Sequence, residues 1–241
     1  MAKRKLEQFA DMDTYNHVFH APYEVVKDSD FEMKGKWNTF FKNDNPLIVE
    51  LGCGKGEYTV GMSQQNTENN YIGVDIKGAR MWRGATTVKE SDIKNVAFLR
   101  SRIDFTEKLF AENEIDEIWI TFPDPQREKR RKRLTAPMFI KRYQKVLKNN
   151  GIINLKTDSR LMYYYTLELA KANNFEILVK TDDLYASEYA DEKLSIKTYY
   201  EQMFLDEGKK INYLRFKIHS NEIVDTPLSE DIIKEMTGGI L

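Results

Sequence analysis

From residue 46 onward the chain alternates short β-branched or aromatic runs with longer stretches whose apolar positions recur at helical spacing. The short runs are Leu47–Leu51, Tyr71–Asp75, Val96–Arg100, Glu117–Phe122, Ile152–Lys156, Phe175–Lys180 and Tyr213–His219. Between them the spacing predicts helices near Glu57–Gln65, Gly78–Glu90, Pro137–Leu147, Arg160–Ala172 and Thr198–Asp206. Asn149-Asn150-Gly151 reads as one of the short turns that link them. Strand–helix alternation with short connections buries both faces of a sheet when the strands run parallel and helices cover each side. The expected fold is therefore α/β, a seven-stranded, mostly parallel sheet with helices on both faces. Gly208-Lys209-Lys210 is too short for a crossover before the final run, so the last strand is expected to be antiparallel.

No repeat, low-complexity tract or Gly/Ser-rich linker divides the 241 residues, and 41% of them are hydrophobic, which suits one domain with a sizeable core. The polar first stretch, residues 1–34, reads as an N-terminal extension that packs on the fold or orders on a partner. The main domain is expected over 35–221, with a C-terminal appendage over 222–241. The N-terminus is basic with no apolar run behind it, so no secretory signal is expected, and no run reaches the roughly 18 residues a membrane span needs. A lone cysteine, Cys53, and three histidines without metal-ligand spacing point to a cytoplasmic protein with no structural metal. The composition is compatible with a monomer or a homodimer.

The strongest local signal is Glu50-Leu51-Gly52-Cys53-Gly54-Lys55-Gly56, which follows a strand and opens a helix. Alternate glycines allow a tight turn with the backbone exposed to a ligand. Dinucleotide sites space their glycines G-x-G-x-x-G around a pyrophosphate. Here the third glycine comes one residue early and an acid precedes the first by two. That acid would repel phosphate and suit an ammonium, which points to S-adenosylmethionine. Asp75 ends the next strand about 20 residues on, where a carboxylate can accept both hydrogen bonds of a ribose diol. Asp104, past the third strand, reads either as a partner of the adenine amino group or as a helix N-cap. Cys53 is expected to fill the turn as a small apolar side chain.

After the fourth strand comes Thr121-Phe122-Pro123-Asp124-Pro125-Gln126, then Arg127 to Arg133, where six of seven residues are basic. The chain as a whole balances 37 Lys and Arg against 38 Asp and Glu. Residues 127–133 carry net +5 and the remainder −6, so the positive charge is placed on one rim. Lys3, Arg4 and Lys5 add three more cations at the start of the chain. In a parallel sheet the carboxyl ends of the strands make the functional rim, so this loop stands beside the glycine crevice. Phosphate neutralisation there would bind a long anionic substrate.

These motifs, in this order, resemble the bacterial tRNA (guanine-N7)-methyltransferases of the class I S-adenosylmethionine-dependent group, over roughly residues 35–219. The resemblance rests on the glycine loop from Glu50, Phe122-Pro123-Asp124-Pro125 with its basic cluster and Arg133-Leu134-Thr135, Thr157-Asp158, and Thr198-Tyr199-Tyr200-Glu201. It implies a Rossmann-like class I methyltransferase fold. It also implies methyl transfer to N7 of guanine at position 46 of the tRNA variable loop. By resemblance Glu50, Asp75, Asp104 and Asp124 contact the cofactor, beside the loop backbone at Gly52 and Gly54 read above, and Asp158, Thr198 and Glu201 contact the RNA. The family commonly has tryptophan where Gln126 stands, and the loop before Arg133 is about two residues shorter. The substrate lysine usual in that loop therefore has no direct counterpart here, and Arg127 and Lys129 are the candidates to substitute for it.

Guanine N7 carries a lone pair and no proton, so its methylation needs no general base. Positioning, which can contribute about 7–11 kcal/mol, is then the main catalytic work. Asp124 and Asp158 are the catalytic candidates: a carboxylate would accept from guanine N1–H and the 2-amino group and stabilise the charge arriving on the ring. Three rival readings are a small-molecule or protein acceptor, a non-catalytic RNA-binding module and a nicotinamide-dependent dehydrogenase.

Overall fold

The computed structural model describes residues 2–225, with side chains from residue 6 onward. Its strands are β1 (Val18–His20), β2 (Leu47–Leu51), β3 (Asn70–Asp75), β4 (Val96–Arg100), β5 (Ile115–Thr121), β6 (Leu147–Thr157), β7 (Glu176–Thr181) and β8 (Asn212–Lys217). The helices are α1 (Ala2–Asp13), α2 (Tyr23–Val26), α3 (Trp37–Phe41), α4 (Glu57–Gln65), α5 (Gly78–Glu90), α6 (Thr106–Leu109), α7 (Pro137–Val146), α8 (Arg160–Ala172) and α9 (Tyr199–Asp206).

All eight strands form one sheet in the order β1-β4-β3-β2-β5-β6-β8-β7. Pairing is parallel from β1 through β6, while β8 lies antiparallel to both β6 and β7. The fold is thus the expected α/β class with an antiparallel last strand. The chain winds outward from β2 to β3 and β4, then returns to the other side of β2 as β5. That reversal opens a crevice at the carboxyl ends of β2 and β5.

Every residue of β2 is buried, as a strand covered on both faces must be. One face carries Leu47, Val49 and Leu51 into a core with Trp37, Phe139, Ile140 and Tyr143, under α3, α7 and α8. The other packs Ile48, Phe98 and Trp119 against Tyr58, Met81 and Met12, under α4, α5 and α1. Trp119 lies between the rings of Tyr58 and Tyr213, at centroid distances of 5.2 and 6.2 Å.

Two departures from the expected strand pattern have physical causes. The eighth strand, β1, is a half-buried three-residue edge, too short to show periodicity, and it comes from the N-terminal stretch. That stretch packs on the sheet: Met12, Ala21 and Val26 are fully buried, and Trp82 Nε1–H donates to Asp11 at 3.0 Å. Asn149-Asn150-Gly151 is not a turn between elements but an irregularity inside β6. The ladder jumps from Ile115–Leu147 to Glu117–Ile152, and Asn150 takes φ of 61°, which asparagine tolerates. Residues 226–241, most of the expected C-terminal appendage, lie outside the described residues, as do the side chains of Lys3, Arg4 and Lys5. No helix among the described residues is long and apolar enough to cross a membrane.

Candidate active site

The strand β2 ends in a loop whose glycines have φ of 84° (Gly52), 56° (Gly54) and 73° (Gly56). Gly56 begins α4, and a β-carbon there would come within 2.6 Å of the Phe98 ring. At Gly54 the requirement is different: a β-carbon would meet nothing within 4 Å, so the positive φ alone selects glycine and the backbone lines an open cradle. The loop is tied to β3 by Gly52 and Cys53 N–H groups, which donate to Val74 O at 2.8 and 3.1 Å. Cys53 is buried, and burial pushes its thiol well above the ordinary cysteine range, so it fills the turn as expected.

Beneath the cradle lies Glu50, with 2% of its surface exposed. Its carboxylate accepts from Thr59 N–H at 2.9 Å, from the Thr59 hydroxyl, and from the Thr121 hydroxyl at 2.5 Å. It therefore caps the first turn of α4 from an adjacent strand and ties it to the end of β5. Burial pushes its carboxyl up to about 7 against the pull of those hydrogen bonds, and Asp75 adds to the rise. The described residues bring no cation to it.

Asp75 holds the far wall. Its Oδ2 accepts from Gly54 N–H at 2.9 Å and its Oδ1 from Lys77 N–H at 2.7 Å. A cavity of about 510 Å³ opens beside it, lined by Gly52, Asp75, Ile76, Ser101, Asp104 and Leu134 among others. Asp104 does not cap α6, whose cap position is Phe105 without a side-chain bond. It lies in a 3₁₀ turn, paired with Arg102 at 3.3 Å, on the cavity wall. Ile76 is 55% exposed at the cavity mouth, an apolar surface suited to an aromatic base.

The rim loop after β5 is bracketed by two non-glycine residues of positive φ, Phe122 at 47° and Gln126 at 45°. Such conformations persist only where the surroundings enforce them. Phe122 N–H donates to Lys156 O at 2.8 Å, and Asp124 Oδ1 accepts from Gln126 N–H at 2.9 Å. The basic cluster divides by role. Arg133 is buried, donates to Pro125 O at 3.0 Å and stands 4.5 Å from the Tyr165 ring centroid. Arg130 pairs with Asp225, and Lys132 lines the cavity. Arg127, Lys129 and Arg131 are exposed, with no ion-pair partner among the described residues.

Asp158 follows β6, the strand next to β5, so it and Asp124 stand at neighbouring strand ends. Burial holds its carboxyl above the usual range, while its own N–H and Lys209 act in the opposite direction. Among the described residues no other group donates a hydrogen bond to it. Thr198 caps α9, accepting from Glu201 N–H at 3.1 Å. Glu201 is fully buried: it pairs with Lys156 at 2.8 Å and accepts from the Tyr185 hydroxyl at 2.6 Å. Lys156 also donates to Leu194 O and Ile196 O at 2.7 and 3.1 Å, pinning the segment before α9 to the sheet.

The structure thus gathers Glu50, Gly52, Gly54, Asp75 and Asp104 around one crevice and sets Asp124 and Asp158 at strand ends on its rim. Arg127 and Lys129 lie out on the loop, and Glu201 lies behind the surface. A family model described as "Putative methyltransferase" matches residues 44–214. The tRNA (guanine-N(7)-)-methyltransferase of Bacteroides fragilis (strain YCH46) is 54% identical over 217 residues, spanning 90% of this chain and 86% of its own. The chain belongs to the tRNA (guanine-N7)-methyltransferase family. A second member, from Christiangramia forsetii, is 50% identical over 90% of this chain and 99% of its own. Among solved structures the fold resembles the 16S rRNA methyltransferase KamB, with TM-score 0.60, 10% identity, and coverage of 79% of this chain and 95% of that one.

Within this methyltransferase frame, the cavity residues that motif reading did not reach are Ile76, Ser101, Arg102, Ile103, Met138 and Phe139. Ile76 alone carried a signal, as an apolar residue directly after a strand-end acid. Lys156 was hidden as an ordinary strand residue.

Proposed function

We propose that this chain transfers the methyl group of S-adenosylmethionine to N7 of a tRNA guanine, at position 46 in the variable loop, forming 7-methylguanosine. The observation that carries the reading is the crevice itself: an open glycine cradle gripped by Asp75, backed by a buried carboxylate and opening onto a cationic rim. The names of the relatives at 50–54% identity support the acceptor.

The residues present fit the cofactor. Glu50 is a buried acid whose charge an ammonium would compensate, Asp75 has acceptor oxygens for a ribose diol, and Ile76 with Asp104 offers an apolar face and an acceptor to adenine. When bound, S-adenosylmethionine supplies an electrophilic methyl group. The work of the chain is to hold the guanine still. Of the two rim carboxylates, Asp124 is engaged by Gln126, whereas Asp158 receives no donor from another described residue. Asp158 is therefore assigned to the guanine N1–H and 2-amino edge, and Asp124 to the cofactor side of the rim loop. Adenine lacks that donor edge and would leave the carboxylate unpaired. Arg127 and Lys129 serve RNA phosphates. Thr198 meets the substrate from the start of α9, and Glu201 supports it from behind through Lys156. A cytoplasmic location suits both the tRNA substrate and the single reduced cysteine.

Asp158→Ala tests the assignment. Its methyl transfer to tRNA is expected to fall on the order of 10²-fold, the scale for losing one preorganised electrostatic contact. Calorimetric affinity for S-adenosylmethionine should persist. A near wild-type transfer rate would remove Asp158 from this role.

A further inference from the structure

The crevice has a second cationic margin that motif reading did not reveal. Arg133 and Arg130 lean on Tyr165 of α8, so the basic loop belongs to the α7–α8 face of the sheet. Across the crevice, on the face covered by α4 and α5, Tyr199 and Tyr200 open α9 with 54% and 38% of their surfaces exposed. Their rings meet edge to face at 5.6 Å. Each has a cation beside it. Lys55 Nζ, from the glycine loop, stands 3.9 Å from the Tyr199 ring centroid, and the Arg80 guanidinium, from the first turn of α5, stands 5.8 Å from that of Tyr200.

The pair is held in place by the fold. Tyr199 N–H donates to Glu57 Oε2 at 3.1 Å, which docks the start of α9 on the start of α4 beside the cradle. Thr198 caps the helix, and the buried Lys156–Glu201 pair anchors its first turn. Phe122 of the rim loop packs on Phe204 of α9 at 6.0 Å, so the tyrosines are tied to the same rim as Asp124. Two exposed rings on a rigid helix start, each beside a cation and both bordering the crevice, have the chemistry of a stacking platform: ring faces take bases and the cations take phosphates.

We propose that Tyr199 and Tyr200, with Lys55 and Arg80, form a shelf that stacks an unpaired nucleotide adjoining the target base in the RNA substrate. The RNA then crosses the crevice held from both faces of the sheet, by phosphate contacts on the 127–133 side and by stacking on the α9 side. The shelf rests on the reading that the acceptor is tRNA, and it adds a contact of a different physical kind to the cationic loop.

The two kinds separate in a salt series. tRNA binding is measured for wild type, Tyr199→Ala/Tyr200→Ala, Tyr199→Phe/Tyr200→Phe and Arg127→Ala/Lys129→Ala/Arg131→Ala, with calorimetric binding of S-adenosylmethionine to report folding. The alanine pair is expected to bind tRNA about 10- to 100-fold more weakly with an unchanged salt slope. The phenylalanine pair should restore binding, since stacking needs the ring and not the hydroxyl. The loop triple should lower the slope by about 2. An alanine pair that binds tRNA as tightly as wild type overturns the shelf. So does an alanine pair that sediments as a smaller species than wild type, because the tyrosines would then hold a second copy of the chain. Wild-type protein that fails to methylate tRNA overturns the acceptor reading itself, whereas normal wild-type methylation with undiminished binding by the alanine pair overturns the shelf alone.

Discussion

Glu50 combines structural and chemical roles that oppose one another. Its oxygens cap α4 and join β5, yet burial raises its carboxyl to about 7. A group whose folded pKa lies above its unfolded value holds its proton longer in the fold, so the contribution of Glu50 to stability declines as pH rises from about 4.5 and is lowest above about 7. The full difference corresponds to about 3 kcal/mol. Glu50→Gln keeps an acceptor and removes the charge. Its melting temperature should match wild type near pH 4 and exceed it at pH 8, while its affinity for S-adenosylmethionine falls. Equal melting temperatures across that range would show that the carboxylate carries no such burden. Cofactor binding by wild type should also tighten between pH 5 and 7, as an ammonium draws Glu50 into its charged form. At this scale the sequence revealed which acids end strands but not their partners. Asp75 and Asp104 face the cavity as their positions suggested. The burial of Glu201 was illegible, because its partner Lys156 is 45 residues away on another element.

The same Lys156–Glu201 pair decides where α9 starts. Burial lowers the ammonium pKa of Lys156 while Glu201 raises it, and the ammonium also holds the carbonyls of Leu194 and Ile196. Removing either partner leaves a buried uncompensated charge, which costs about 3–5 kcal/mol, whereas replacing both with apolar groups is often nearly neutral. Lys156→Met and Glu201→Leu should each lower the denaturation midpoint strongly, and the double variant should recover most of the loss. Additive losses in the double variant would show that the two groups act separately. The double variant should still show weakened tRNA binding, since the carbonyl anchors of the preceding segment are gone. Long periodic elements were legible: the spacing placed α4, α5 and α8, and the runs placed β2 and β4, at their observed bounds. What escaped were features set by neighbours in space, namely the three-residue β1 paired to β4 and the irregularity that absorbs Asn150 within β6.

Across the whole molecule, a net charge of −1 conceals a sharply uneven distribution. The topology brings one basic loop and one aromatic–cationic helix start to opposite margins of a single crevice, with a ring of carboxylates between them. The basic loop was legible as a run of residues. The second margin was not, because Lys55, Arg80, Tyr199 and Tyr200 come from three separate segments that only the fold assembles. The arrangement accounts for a methyltransferase whose chemistry needs no general base and whose specificity lies in how a guanine is presented. Incubating the protein with S-adenosylmethionine and tRNA and mapping every modified base tests both the reaction and its target. The expected product is 7-methylguanosine at the variable-loop guanine, position 46, with no transfer when that base is adenine. Methylation at another atom or another base, or efficient transfer to the adenine-substituted tRNA, would contradict the proposed function.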